Sequence, residues 1–289
     1  MNKKPTIDEK LAAAKDRGRK TLPKAETTKK PMLPIWPEEV RGVPNAVLRG
    51  AIFAVSQERL FLKEWTPIAA VDGIEIRAKG ERLNQHDLDL WEQLLHLQRE
   101  SPLGARVEFT AHEMLRALDR PVGGSAHVRL DNDLGRLLTS ATEIRWTETR
   151  QSFAGGLVSS YFKDEDSDRY VVTFNADTMH LYAQGHTWIN ADKRKSLGRN
   201  LIAKWLHGFY STHAKPYSYS VDTLWRLSGS TALRNEFRRK LRTAFEKLLA
   251  TGVIDNWEID DSDLVHVRRT PTQSQRKHMA KAKVIHKKG

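Results

Sequence analysis

Residues 228–269, SGSTALRNEFRRKLRTAFEKLLATGVIDNWEIDDSDLVHVRR, constrain what the chain can fold into more than any other stretch. Leu233, Phe237, Leu241, Phe245 and Leu248 recur at helical spacing. Arg234, Arg238, Arg239, Lys240 and Arg242 put five cations into nine residues of the same window. A helix carrying both series has to bury one side and leave the other in water. The spacing predicts a helix over 231–250, stopped by Gly252, with Ser228-Gly229-Ser230 as the turn before it. Beyond it, 253–259 and 264–269 alternate as strands joined by the acidic tip DDSD, 260–263.

Upstream, 194–213 reads as a helix with Leu197, Leu201, Trp205 and Phe209 in register. A short extended piece, 215–220, follows, then a short helix over 220–229 capped by Ser220. Helix, strand, helix, turn, helix and hairpin form the order of a winged helix. The order recurs earlier in the chain. Leu88, Trp91, Leu94, Leu95 and Gln98 line one side of a helix over 84–100, and 105–110 reads as a strand. A helix over 110–119 opens with a capping box of Thr110 and Glu113. The turn RPVGGS leads into a helix over 125–141, with Leu130, Leu134, Leu137, Leu138 and Ala141 inward; strands follow over 142–149, 156–162 and 169–175. Before this copy, 67–78 signals a hairpin whose Asp72-Gly73 suits a type I′ turn.

The expected fold class is therefore α+β: two tandem winged-helix (helix-turn-helix) domains, over 36–180 and 181–269, between disordered basic tails over 1–35 and 270–289. PMLPIWPEEV, residues 31–40, reads either as a docking segment or as the first anchor of the chain on its body.

Charge narrows the function. The chain of 289 residues carries a net +12. Residues 1–30 supply +6 and 268–289 supply +8, so the body between them is nearly balanced. Within that body, 193–250 hold thirteen cations against three acids. A basic segment inside an otherwise acidic fold is the footprint of a polyanion partner. The tails can add to it through counterion release or serve only as solubilising chain. No cysteine is present, which excludes disulfides, thiolate catalysis and cysteine-ligated metals. No apolar run reaches the roughly 18 residues of a membrane span, and the amino terminus lacks the apolar core of a secretory signal, so a cytoplasmic protein is expected.

Catalytic motifs are missing. There is no GxxxxGK[ST] loop and no His-x-His pair, and His112-Glu113 has Arg116 where a zinc protease needs its second histidine. The clusters KDEDSD (163–168) and EIDDSD (258–263) read as solvated hairpin tips rather than a metal site. Tyr161, Tyr170 and Tyr210 have no evident base partner. No metal and no cofactor is expected, and the chain reads as a binding protein rather than an enzyme.

If the basic helix enters a major groove, its amino-terminal half reads bases, which selects Thr231, Arg234, Asn235 and Arg238. Arg239, Arg242, Lys215 and Ser230 are then placed for phosphates, and His266 and Arg268 lie on the wing. In the first copy, His127, Arg129 and Arg136 point outward beside Asp131 and Asp133, a surface for phosphates or for another protein.

The segments SPLGARVEFTAHEMLRALD, RNLIAKWLHGFYSTHAKPYSYSVDTLWRLSGS and FEKLLATGVIDNWEIDDSDLVHVRR resemble the TrfA family of plasmid replication initiators, over about Trp36 to Arg269 and most specifically in the carboxy-terminal third. The resemblance implies an initiator of two winged helices. It would bind repeated origin sites (iterons) in double-stranded DNA as a monomer and help open adjacent A·T-rich DNA, whose single strands are a further expected partner. It would also recruit the host replicative helicase with its loader or initiator and limit copy number. A homodimer formed through the first winged helix would be the inactive form, and the second winged helix the main reader. Such chains often carry a Gln-Leu-x-Leu-Phe clamp-docking peptide before the first domain. PMLPIWPEEV stands in its place, which puts sliding-clamp contact in doubt. A winged-helix repressor without initiator activity and a nicking or strand-transfer enzyme are the competing readings.

Overall fold

The computed structural model describes residues 31–286. The chain enters its body through the proline-rich segment. Leu33 and Trp36 are buried, the Trp36 indole N–H donates to His96 Nδ1 at 3.0 Å, and its ring stacks on Tyr182. This segment is thus the anchor, and the expected disorder does not extend to residue 35. The rest of the expected amino-terminal tail, 1–30, lies outside the described residues.

The first half runs β1 (Val40–Pro44), α1 (Asn45–Leu48), β2 (Phe61–Ile68), β3 (Ile74–Glu81), α2 (Gln85–Gln98), β4 (Arg106–Thr110), α3 (Ala111–Ala117) and α4 (Gly124–Thr139). It continues through β5 (Ala141–Trp146), β6 (Gln151–Gly156), β7 (Ser160–Asp164), β8 (Arg169–Thr173), α5 (Met179–Ala183) and β9 (His186–Asn190). The second half runs α6 (Ala191–Ser196), α7 (Leu201–Ser211), β10 (Tyr219–Ser220), α8 (Val221–Leu227), α9 (Arg234–Ala250), β11 (Asn256–Ile259), β12 (Leu264–Arg268) and α10 (Gln273–His286).

Side-chain caps fix most of these starts. Asn84 and Asp87 form a capping box on α2, Thr110 and Glu113 form one on α3, and the Ser220 hydroxyl accepts the Thr223 N–H at the head of α8. The repeat is visible in the strand order. Helix, strand, two helices and a hairpin give a three-stranded sheet β4-β8-β7 in the first half and β10-β12-β11 in the second. The first half has one extra hairpin. β5 pairs with β3 instead of joining the β4 sheet, which sets Ile144 against Ile76 and Phe153 and buries all three in a four-stranded sheet β2-β3-β5-β6. The single strand expected over 156–162 is therefore two pieces of different sheets. β1 and β9 close the first half as an antiparallel pair.

Other expectations shift for local reasons. Positive φ falls on Gly73 (87°) but not on Asp72, and the Ile74 N–H bonds the Val71 carbonyl, so the β2–β3 turn is not type I′. The helix expected over 194–213 is split, because Asn200 accepts the Ala203 N–H at 2.9 Å and starts α7 afresh. Of the tail expected to be disordered over 270–289, Gln273–His286 is helical, and 287–289 lie outside the described residues. Thr272 and Gln275 cap each other reciprocally, and Gln275 and Arg269 bond the carbonyls of Ser211 and His213 at the end of α7. Among the described residues, no helix is long and apolar enough to cross a membrane.

Two cores result. The first gathers buried residues from Leu33 to Ile189; the second gathers residues from Leu197 to Val267 and borrows Val55 from the first half. In the second, Phe237, Leu241, Ala244, Phe245 and Leu248 of α9 are fully buried, each large side chain contributing roughly 1.5–3 kcal/mol. Gly229 sits at the crossing point. Its φ is 63°, and a Cβ there would lie 2.9 Å from Cβ of Ala54.

A buried ion network joins the halves. Arg194 of α6 reaches Asp89 at 2.8 Å and Glu92 at 3.2 Å, both on α2, and donates to the Gln85 side chain at 3.0 Å. Lys204 of α7 holds the other Asp89 oxygen at 2.6 Å. Burial pushes the Glu92 carboxyl up to about 7 despite the pull of Arg194, with the charge of Asp89 adding to the effect. The cations Arg194 and Lys204 outweigh burial at Asp89 and hold it below the usual range.

Removing Arg194 leaves buried carboxylates short of a partner, so Arg194→Met should destabilise the fold by about 3–5 kcal/mol in urea titration. An unfolded glutamate titrates near about 4.3. Raised to about 7 in the fold, Glu92 costs the fold stability progressively as pH climbs from about 4.3 to about 7, and the full loss is present above 7. Thermal midpoints of the wild type and Glu92→Gln should therefore coincide near about pH 4, diverge up to about pH 7 and keep a constant gap above it, with the glutamine variant higher.

Candidate nucleic-acid interface

The buried stripe of α9 sets which side chains are free. At 3.6 residues per turn, the direction opposite Phe237, Leu241, Ala244, Phe245 and Leu248 is held by Asn235, Arg239, Arg242, Thr243 and Glu246, all exposed. Arg234 and Arg238 lie on the flank towards the β11–β12 hairpin, Glu236 and Lys240 on the opposite flank. Arg238 Nε donates to Asp263 at 2.7 Å, and Arg234 stands 3.8 Å from Asp263 and 3.9 Å from Asp222. Lys240 is paired with Glu236 at 2.7 Å, which draws the Glu236 carboxyl below its usual range. Arg239 and Arg242 make no ion pair among the described residues. The two arginines expected to read bases are thus partly neutralised by carboxylates, and the two expected on phosphates hold the centre of the open face.

The turn before α9 is built by side chains. Trp225 donates its indole N–H to the Ala232 carbonyl at 2.9 Å, and Ser230 Oγ accepts the Ala232 N–H, so 230–232 stay out of the helix. Thr231 Oγ1 lies 2.9 Å from Ser56 Oγ, which ties it to a loop of the first half. The helix begins at Arg234 rather than 231, with Leu233 as its N-cap. Leu233 makes no side-chain cap bond and is 80% exposed, not inward as its spacing suggested. Leaving an N-cap without a polar side chain forgoes about 0.5–2 kcal/mol.

The hairpin is internally organised. His266 bonds Asp260 Oδ2 and Ser218 Oγ, each at 2.8 Å, so its ring braces the tip. That bond and the N–H groups of Leu264 and Ser262 hold Asp260 below the usual carboxylate range. Arg268 and Lys215 are exposed and make no ion pair among the described residues.

In the first half, Arg136 is not an outward residue. It bonds Asp87 at 3.0 Å and also Asp133, which takes Arg120 at 2.6 Å. The carboxylate of Asp87 sits fully buried in the α2 cap, and that draws Arg136 in. His127 Nδ1 lies 3.4 Å from Asp168, while Arg129 is exposed and makes no ion pair among the described residues. Among the described residues, no group of three or more His, Asp or Glu could hold a metal ion.

One cation escaped the sequence reading. Arg199 is exposed just before α7, where it lines an open cleft of about 680 Å³ with the loop at Ser56, the turn at Ser230–Ala232, and Arg239 and Lys240. The signal was Gly198 followed by Asn200, a helix stop and a new cap, which places Arg199 at a helix head rather than inside one.

Comparison with known proteins gives the chain a family and a fold likeness. The family model described as TrfA protein matches residues 11–269. The plasmid replication initiator protein TrfA of Escherichia coli is 25% identical over 248 residues, which take up 81% of this chain and 63% of that protein; the chain spans less than two thirds of its length. The crystal structure of domains 2 and 3 of RctB superposes with a TM-score of 0.53 at 11% identity, covering 79% of this chain and 99% of that one, a likeness of fold.

The Arg238–Asp263 pair is about one third exposed on both sides (37% and 34%). Solvent screens such a pair, so Asp263→Asn should shift unfolding free energy by less than about 1 kcal/mol. Urea titration of the variant against the wild type measures it.

Proposed function

Since the chain belongs to the TrfA family, we propose that it is a plasmid replication initiator that binds repeated sites in an origin duplex. The single observation that carries this reading is the open face of α9. Asn235, Arg239 and Arg242 stand exposed without ion pairs on a helix whose other side is fully buried. Isolated surface pairs contribute only a few tenths of a kcal/mol, so stability does not account for the cations. Duplex bases and phosphates do. Arginine pairs with guanine O6 and N7 through two bonds, and asparagine with adenine N6 and N7. In this reading Arg239, Arg242 and Asn235 face base edges, and Arg199, Lys215, Arg268 and Arg129 meet phosphates. Arg234 and Arg238 brace the hairpin and contact the backbone at the margin.

The repeated strand order supports two winged helices in tandem, and the open face of α9 supports the second as the main reader. The remaining elements of the reading come from the family: binding as a monomer, opening of adjacent A·T-rich DNA, recruitment of the host helicase and its loader, and a homodimer as the inactive form. The protein acts by binding rather than catalysis, in the cytoplasm with its plasmid.

The deciding experiment supplies the gene in trans to a plasmid carrying only the neighbouring origin. Replication that depends on the gene, with a footprint over tandem repeats, supports the proposal. Promoter shut-off without replication would favour a repressor, and a covalent tyrosine adduct on nicked supercoiled DNA a strand-transfer enzyme. At residue level, Arg239→Ala or Arg242→Ala should cost about 1–3 kcal/mol of binding and relax preference at one base pair. Lys215→Ala should weaken all sequences alike and lower the salt slope by about 1. Equal, sequence-independent losses in all three variants would remove α9 as the reading element.

A further inference from the structure

The base-reading edge includes an apolar side chain. We propose that Leu233 contacts the C5-methyl group of a thymine in the bound duplex and so sets part of the sequence preference; this rests on the reading of α9 as the helix that enters the major groove.

Two independent features single out Leu233. It is 80% exposed, the highest exposure among the large hydrophobic side chains of the described residues. It also occupies the N-cap of α9, where a polar side chain would serve the helix better. Neighbouring helices take that option: Asn190 caps α6, Asn200 caps α7 and Ser220 caps α8. A lone exposed leucine needs no explanation. An exposed leucine standing where a polar cap belongs breaks a local rule without any packing gain, and such departures mark functional or strained positions.

The placement fits base contact. Leu233 has an extended backbone, φ −57° and ψ 145°, which takes it off the buried stripe that its spacing to Phe237 would extend. It sits at the leading end of the helix, next in sequence to Arg234 and two before Asn235. Residues at that end of a groove-entering helix meet base edges. The major-groove edge of thymine offers one apolar group, the C5 methyl, and aliphatic side chains contact it. The free cations of the same helix, Arg239 and Arg242, make DNA the fitting partner for this end of α9 rather than an apolar protein groove.

The test uses the full chain and the consensus duplex it selects from a random pool. Each thymine in that duplex is replaced singly by uracil, which removes only the methyl. Wild-type protein should lose about fourfold in affinity at one thymine or more, the effect of one buried methyl-sized group. Leu233→Ala and Leu233→Asn should bind the thymine duplex about that much more weakly and be indifferent to uracil. Leu233→Asn should melt at or above the wild-type temperature, since it restores a cap. Uracil tolerated by the wild type at every position, uracil sensitivity retained in Leu233→Ala, or a lower melting temperature for Leu233→Asn would each overturn the assignment. Failure to select any consensus would instead defeat base reading by α9, and the inference with it.

Discussion

Arg194 forms the buried polar link between the two cores. Its guanidinium is buried between the halves, reaching Asp89 and Glu92 on α2 from its own place on α6. A buried ion network of this kind is weak evidence for net stability, because desolvation offsets much of the attraction. Its directional bonds fix geometry instead. Lys204 on α7 shares Asp89, so α7 of the second core is set against α2 of the first. α9 packs on α7, and the open face of α9 inherits its orientation from that pair. Gly229 and the Val55 N–H to Ser228 carbonyl bond complete the junction beside the turn that feeds α9.

A second arrangement sorts the cations of α9. The hairpin tip carries Asp260, Asp261 and Asp263, and carboxylates repel phosphate. Asp260 is occupied by His266 and local backbone, and Asp263 is turned to Arg238 and Arg234. Asp263 thereby sets its charge against the flank of the helix. The uncompensated charge moves to Arg239, Arg242 and, across the cleft, Arg199. The face of free cations therefore lies on Arg239 and Arg242 rather than on Arg234 and Arg238, and extends towards the amino end of α7.

The same physics explains which parts of the site could be read in the sequence. Helix caps such as Asn84, Thr110 and Ser220 act over three residues and were legible as motifs. So was the buried stripe of α9, since Phe237 to Leu248 repeat at the helical period. Arg136 was misplaced because its partner, Asp87, lies 49 residues away. Leu233 was misplaced because Trp225 and Ser230 hold the preceding turn open by bonds that periodicity does not encode. β5 was expected within 142–149, but β6 and their shared sheet with β3 were missed, because strand pairing is a non-local choice.

Local patterning therefore determined the kinds of element, the repeated order of helix and hairpin, and the basic character of one helix. These follow from side-chain period, caps and charge within a few residues. The tertiary structure alone decided which arginines stay free, where α9 starts, which sheet each hairpin joins and how the two cores meet. Those outcomes depend on carboxylates, carbonyls and strand edges brought together from distant positions, and a linear pattern carries no record of them.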